Sequence, residues 1–178
     1  MFPRVPASRL PGTPSYTPAE GVCAATWEGD VGMTKSPQLE YLTANDWVLI
    51  GDHAERVKFH AQQTLIRAAL PIEAVFVIVS GTARVEVGGK AIASLGAGAV
   101  CGEMAFLEGR PASASVVAET EVEADRLLAS KLREIFDTFP SIGHRFYKSI
   151  ALNLSRRLRD TSSALAEKSR SGPGSGSY

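Results

Sequence analysis

The chain has 178 residues and balances 19 Lys and Arg against 19 Asp and Glu. A neutral total disfavours a uniformly basic nucleic-acid binder, no apolar run approaches the ~20 residues of a membrane helix, and two cysteines are too few for a disulfide framework or a cysteine-rich zinc site. The histidines His53, His60 and His144 share no metal-ligand spacing, so the expectation is a cytoplasmic protein with no metal, cofactor or membrane span.

Residues 1–33 read as a flexible tail, because Pro3, Pro6, Pro11, Pro14 and Pro18 block helix and sheet ladders. Met33 opens the segment that reads as the domain, residues 34–168. Residues 36–56 are predicted helical, started by Ser36-Pro37 and faced by Leu39, Leu42, Trp47, Leu49 and Ile50. From Val57 the pattern changes to short β-branched runs: Val57–Phe59, Thr64–Ile66, Val75–Val79, Ala83–Val87, Lys90–Leu95, Ala114–Ala118 and Val122–Leu128. Ser80-Gly81 and Gly88-Gly89 punctuate them as hairpin turns. Such a series predicts a small barrel or sandwich.

After Leu128 the period becomes helical. One helix is predicted over Ser130–Phe139 with Ser130 as its cap, and a second runs from a Ser141 cap to about Lys168. The second carries Ile142, Phe146, Ile150, Leu154, Leu158 and Leu165 as one apolar stripe. Residues 169–178 form a flexible Gly/Ser tail. Charge is uneven: residues 34–128 hold 8 basic and 12 acidic groups, residues 129–178 hold 9 and 4. The C-terminal part either faces a partner or presents an ordinary solvated basic face.

One stretch carries chemistry: Gly102-Glu103-Met104-Ala105-Phe106-Leu107-Glu108-Gly109-Arg110-Pro111-Ala112-Ser113-Ala114-Ser115-Val116. A glycine after a strand lets the backbone approach a ligand. A helical turn after it offers free N–H groups to an anion. Glu103 in that turn could accept from hydroxyls such as a sugar's. A plain strand-to-helix turn explains the same residues.

Over residues ~36–165 the chain resembles the cyclic-nucleotide-binding domain family. Phe76-Val-Ile-Val-Ser-Gly81 resembles its opening strands, and Gly102-Glu-Met-Ala with Pro111-Ala-Ser-Ala-Ser-Val116 resembles its phosphate-binding cassette. The resemblance implies an eight-stranded jelly-roll β-barrel, mainly β, flanked by an N-terminal helix and two C-terminal helices. It implies cAMP or cGMP as ligand, no catalysis, and contacts from Gly102, Glu103, Met104, Ala105, Ser113 and Ala114. In the family the Glu holds the ribose 2′-hydroxyl, cassette amides hold the cyclic phosphate, an Arg pairs with that phosphate and the last helix closes over the base. Arg156 or Arg157 would then be candidates to cap the base.

The sequence departs from the family at several points. Ala112 stands where the phosphate Arg is expected. Arg110, two residues earlier, is the nearest replacement, displaced by ~6–7 Å along an extended segment. Losing a charge-assisted Arg–phosphate bond of ~1.5–3 kcal/mol should weaken binding by ~10- to 150-fold. Gln62 and Ala69 stand at family glycines, at ~1 kcal/mol each if those turns need positive φ. Leu70 replaces an Asp, and Cys101 replaces an aromatic as a small buried hydrophobe. Two functions remain open: a sensor of cyclic nucleotide that signals through its terminal helices, or a degenerate member serving as a structural or protein-interaction subunit. Only ~10 residues follow the long helix, too few for a helix-turn-helix. Output is expected through a homodimer or protein partner on residues 141–168.

Overall fold

The computed structural model of the protein describes Met33 and residues 35–170. The expectations for tail residues 1–32 and 171–178 lie outside the described residues. A 3-10 turn, Pro37–Leu39, opens the chain, capped by the Ser36 side chain, and α1 follows at Ala44–Gly51. The predicted helix over 36–56 is therefore broken in the middle and too long. Ala54–Phe59 is instead the first strand, β1, because Ala54, Glu55 and Arg56 pair with β8 (Val122–Leu128) at Leu127, Arg126 and Asp125. Sheet pairing overrides the mild helical preference of those residues.

The strands continue as β2 (Thr64–Ile66), β3 (Ala74–Ser80), β4 (Ala83–Val87), β5 (Lys90–Leu95), β6 (Val100–Cys101), β7 (Ser115–Ala118) and β8. They form two four-stranded antiparallel sheets, ordered β1-β8-β3-β6 and β2-β7-β4-β5. The fold is mainly β with helices and agrees broadly with the eight-stranded jelly roll, but the two sheets do not close into a barrel. Gly88 and Gly89, both at positive φ, turn β4 into β5 as expected. Strand β6 has no counterpart in the sequence reading.

β3 shows how the layers are built. Its side chains alternate across the sheet. Phe76 and Ile78 enter a cluster between the two sheets, with Val57, Ile66, Ala83, Val116, Ala118 and Val122. Val75 and Val77 point the other way, into a cluster with Leu39, Trp47, Ile50, Leu132, Phe136, Ile142, Phe146 and Ile150 from the helical segments. Helices thus cover the outer face of the first sheet.

Helix α2 spans Glu103–Glu108, α3 Ala129–Thr138 and α4 Pro140–Arg170. The cap of α3 is Leu128, with no side-chain hydrogen bond, so Ser130 lies inside the helix. Likewise α4 starts at Pro140, which places Ser141 within its first turn rather than at its cap. Proline suits a first helical position because its missing N–H would have no partner there. α4 is anchored by Ile142, Phe146, Ser149, Ile150 and Asn153, all buried. Leu158 is 68% exposed, so the expected stripe leaves the core there. A spacing of four drifts by about 40° per step on a helix of 3.6 residues per turn. Leu158 is therefore rotated by about 160° from Ile142, whereas Arg157 is rotated by about 60°.

Candidate ligand cleft

Strand β6 delivers the chain to Gly102, whose φ of 87° is left-handed. A Cβ at that position would lie 2.9 Å from the Ala74 carbonyl oxygen, so only glycine makes this turn without displacement. α2 begins immediately, and Glu103 in its first turn is buried. Its neighbours divide between the layers: Ala105 joins the cluster between the sheets and Phe106 joins the helical cluster. Phe106 meets Phe146 and Phe136 edge-on and stacks on Tyr147. The short helix is thus tied to both cores.

The carboxylate of Glu103 faces α4. Arg157 donates from Nη1 to Glu103 Oε1 at 3.0 Å. Burial pushes the Glu103 pKa above the ordinary carboxylate range, and the backbone N–H groups of Glu103 and Met104, with Arg157, oppose that rise. Cys101, just before the turn, is buried, and desolvation first and the Glu103 charge second drive its thiol pKa far up. It is a neutral wall residue, as the sequence suggests.

The opposite wall is the segment after α2. Ala112 donates to the Leu70 carbonyl at 2.9 Å, and the Ala69 N–H donates to the Ala112 carbonyl at 2.8 Å. Ser115 Oγ accepts from Ala68 N–H at 3.0 Å. This clamp holds Ala69 at φ 63°, and Gln62 lies at φ 70° in the earlier turn. Both positions are left-handed without glycine, so each carries the strain of about 1 kcal/mol expected for L-residues there.

Between these walls lies a small cleft, open to solvent. Gly102, Glu103, Met104, Ala105, Ala112, Ser113 and Ala114 all line it, with Ile66, Val85, Leu95, Val100, Cys101, Val116 and Arg157. Seven of the eight expected site residues are therefore brought together. Arg110 is not among the lining residues and is exposed. A displacement of two residues along the segment carries it out of the cleft rather than across it. Arg156, the other candidate on the last helix, pairs with Glu40 at 2.8 Å.

In sequence Arg157 stands beside Arg156 as a candidate to cap a base, and its pairing with Glu103 is not visible. Its partner lies 54 residues away, and no local pattern joins them. The usable signal is its angular position: an arginine at about 60° from Ile142, where an apolar side chain would continue the buried face. Its guanidinium and Glu103 are the charged groups among the residues that line the cleft. Chemically, the arrangement offers a buried carboxylate to accept from hydroxyls and an arginine beside it. Among the described residues no cluster of His, Cys, Asp and Glu could hold a metal ion, and no helix is long and apolar enough to cross a membrane.

Residues 56–139 match the family model of the cyclic nucleotide-binding domain. The structure is similar to a cyclic nucleotide-binding domain from Methylobacillus flagellatus (TM-score 0.66, 22% identity, covering 75% of this chain and 76% of that one). It is similar to the catabolite activator protein of Thermus thermophilus (TM-score 0.61, 26% identity, covering 75% of this chain and 63% of that one). It is also similar to the regulatory subunit of a cAMP-independent protein kinase A from Trypanosoma brucei, in a triple mutant bound to cAMP (TM-score 0.53, 22% identity, covering 74% of this chain and 43% of that one). The chain thus spans less than two thirds of the last two proteins. No curated protein matches the sequence.

Proposed function

We propose that this chain, which belongs to the cyclic nucleotide-binding domain family through residues 56–139, is a non-catalytic regulatory module that takes cAMP or cGMP in the cleft at Gly102–Ala114. The observation that carries this reading is the buried Glu103 carboxylate set by the left-handed Gly102 turn at the head of that cleft. Glu103 accepts from the ribose 2′-hydroxyl, the amides of Met104 and Ala105 face the cyclic phosphate, and Ser113 donates to it. Ala112 presents only a methyl group where a cation would serve. The segment Gly102–Ala114 by itself therefore binds weakly, with an affinity ~10- to 150-fold below that of a segment carrying its own phosphate arginine. Output runs through α3 and α4 in the cytoplasm, with the exposed second half of α4 available to a second copy or a partner.

Titration calorimetry with cAMP and with cGMP tests the reading. Binding to the native chain, abolished in Glu103→Ala, is expected. Binding that is indifferent to Glu103 would place the nucleotide elsewhere. Hydrogen exchange at saturating nucleotide then reports signalling: protection changes at 102–107 and in the helices on either side of Pro140, and little change in β3.

A second reading has its own observation. Glu103 is already engaged by Arg157 at 3.0 Å, as a carboxylate would be in a domain kept only as a rigid interaction subunit. Absence of heat with either nucleotide, with no exchange response, selects that reading.

A further inference from the structure

We propose that Arg157, carried by α4, is the cation that meets the phosphate of the bound ligand, in the place that Ala112 leaves vacant. The inference rests on the reading of the cleft as a cyclic-nucleotide site. Its starting point is charge. Glu103 is buried at the head of the cleft, and a ligand phosphate set beside an unneutralised buried carboxylate would be repelled. Of the described residues lining the cleft, Arg157 is the one cation. Arg110 stands outside the lining and in solvent.

The geometry leaves Arg157 free for the task. A guanidinium has five N–H donors in a planar fork. Arg157 uses Nη1 on Glu103, and no other hydrogen bond from its side chain is present among the described residues. The rest of the fork can face phosphate oxygens while the first nitrogen keeps its hold on the carboxylate. The backbone beneath is fixed. One turn earlier, Asn153 Nδ2 donates to Gln38 Oε1 at 2.9 Å, and Asn153 is buried. One turn later, Thr161 Oγ1 donates to the Arg157 carbonyl at 2.8 Å.

A consequence distinguishes this site from one with its cation in the cassette. Here the phosphate contact exists only while α4 is seated. Ligand therefore binds the seated helix more tightly than a displaced one, which is the differential affinity that a ligand-driven switch requires. By reciprocity, anything that seats α4 raises affinity for ligand by the same factor.

The test is calorimetry on the full chain with two matched pairs of probes: cAMP with adenosine, and cGMP with guanosine. Each pair differs at the phosphate. Arg157→Ala should weaken the cyclic nucleotide by ~10- to 150-fold and change the nucleoside by no more than about twofold. Arg157→Lys should fall between the native chain and Arg157→Ala. The double variant Arg157→Ala with Ala112→Arg should recover cyclic-nucleotide binding, since it returns a cation to the cleft from the other wall. Arg157 is 41% exposed at its side chain, so the variants should fold, which circular dichroism checks. Cyclic-nucleotide binding that is unchanged or tighter in Arg157→Ala overturns the proposal and makes Arg157 a plug on Glu103. Equal losses for nucleotide and nucleoside overturn it as well, since the contact is then not to phosphate. No binding of any probe to the native chain overturns the cleft reading and this inference with it, whereas the two preceding results overturn this inference alone.

Discussion

Helix α4 reaches two buried carboxylates through arginines twelve residues apart, and the two pairs differ in kind. Near its start, Arg145 grips Asp46 with two nitrogens, at 2.7 and 2.6 Å. Asp46 also accepts from Thr43 N–H at 2.8 Å in a capping box at the start of α1. The Arg145 hydrogen bond outweighs burial, and the Asp46 pKa is held below its ordinary value. Farther along, Arg157 touches Glu103 with a single nitrogen, burial outweighs the pairing, and the Glu103 pKa is raised. The first carboxylate is gripped by a two-nitrogen arginine fork and ties α4 to the start of α1. The second takes one arginine nitrogen and lines an open cleft.

The contrast can be broken first at the anchored half of α4. Phe146 is fully buried among Phe106, Phe136 and Tyr147. Phe146→Ala should cost about 3–5 kcal/mol, read as a fall in the urea midpoint, and should loosen the cleft indirectly by unseating Phe106. At the other half the expected gain is in affinity. In the Arg157→Ala background, Ala112→Arg should tighten cyclic nucleotide by ~10- to 150-fold, measured by calorimetry. A domain with an intact fold and no gain would show that the segment around Ala112 is not a phosphate-binding cassette lacking its arginine.

A smaller effect tests the strain beside the cleft. Ala69→Gly should raise stability by about 1 kcal/mol, less the entropy that glycine adds to the unfolded chain, with the hydrogen bonds to Ala112 retained. Differential scanning calorimetry reads it as a small rise in Tm. A fall would mean that the clamp, not glycine's freedom, sets the conformation of this turn.

The last effect is a slope with pH, and its sign separates the two carboxylates. Asp46 is more acidic folded than unfolded, so its stabilisation is present at neutral pH and is lost as pH falls through its lowered folded value. Asp46→Asn should remove that acid-side loss. Glu103 is less acidic folded, so the native state holds the proton more tightly, and stability falls as pH rises from the ordinary carboxylate range through the raised value. Glu103→Gln should flatten that fall. Urea midpoints across pH, taken as native minus variant, should therefore slope in opposite directions.

Much of this was legible from residue patterns. Seven strands could be read because alternation and turn residues coincide, as at Val75–Val79 and Gly88-Gly89. The cleft was legible because its residues lie in one continuous segment, Gly102–Ala114, which chain connectivity holds together. Features that rest on remote pairing were hidden. Strand β6 is two residues long and exists only through its bonds to β3. The start of β1 reads as helix until β8 is beside it. The exposure of Leu158 fits a stripe that outruns the body and projects past Leu154, whereas the drift of the buried face toward Asn153 and Arg157 follows from 3.6 residues per turn and is not seen in a count of fours. The positive φ at Gln62 and Ala69 could be suspected only from the glycines they replace.

One amide binds three segments of the molecule. Gln38 Oε1, in the opening 3-10 turn, accepts both from Val100 N–H at 2.9 Å, two residues before the Gly102 turn, and from Asn153 Nδ2 at 2.9 Å on α4. A single oxygen with two clients works as a shared hinge pin. If α4 swings away, it either strips a proton donor from this pin or drags residues 36–40 along, and in both cases the register of the leading segment against β6 is disturbed. A displacement of the opening 3-10 turn therefore reaches β6, the strand that leads into the Gly102 turn, through one shared acceptor.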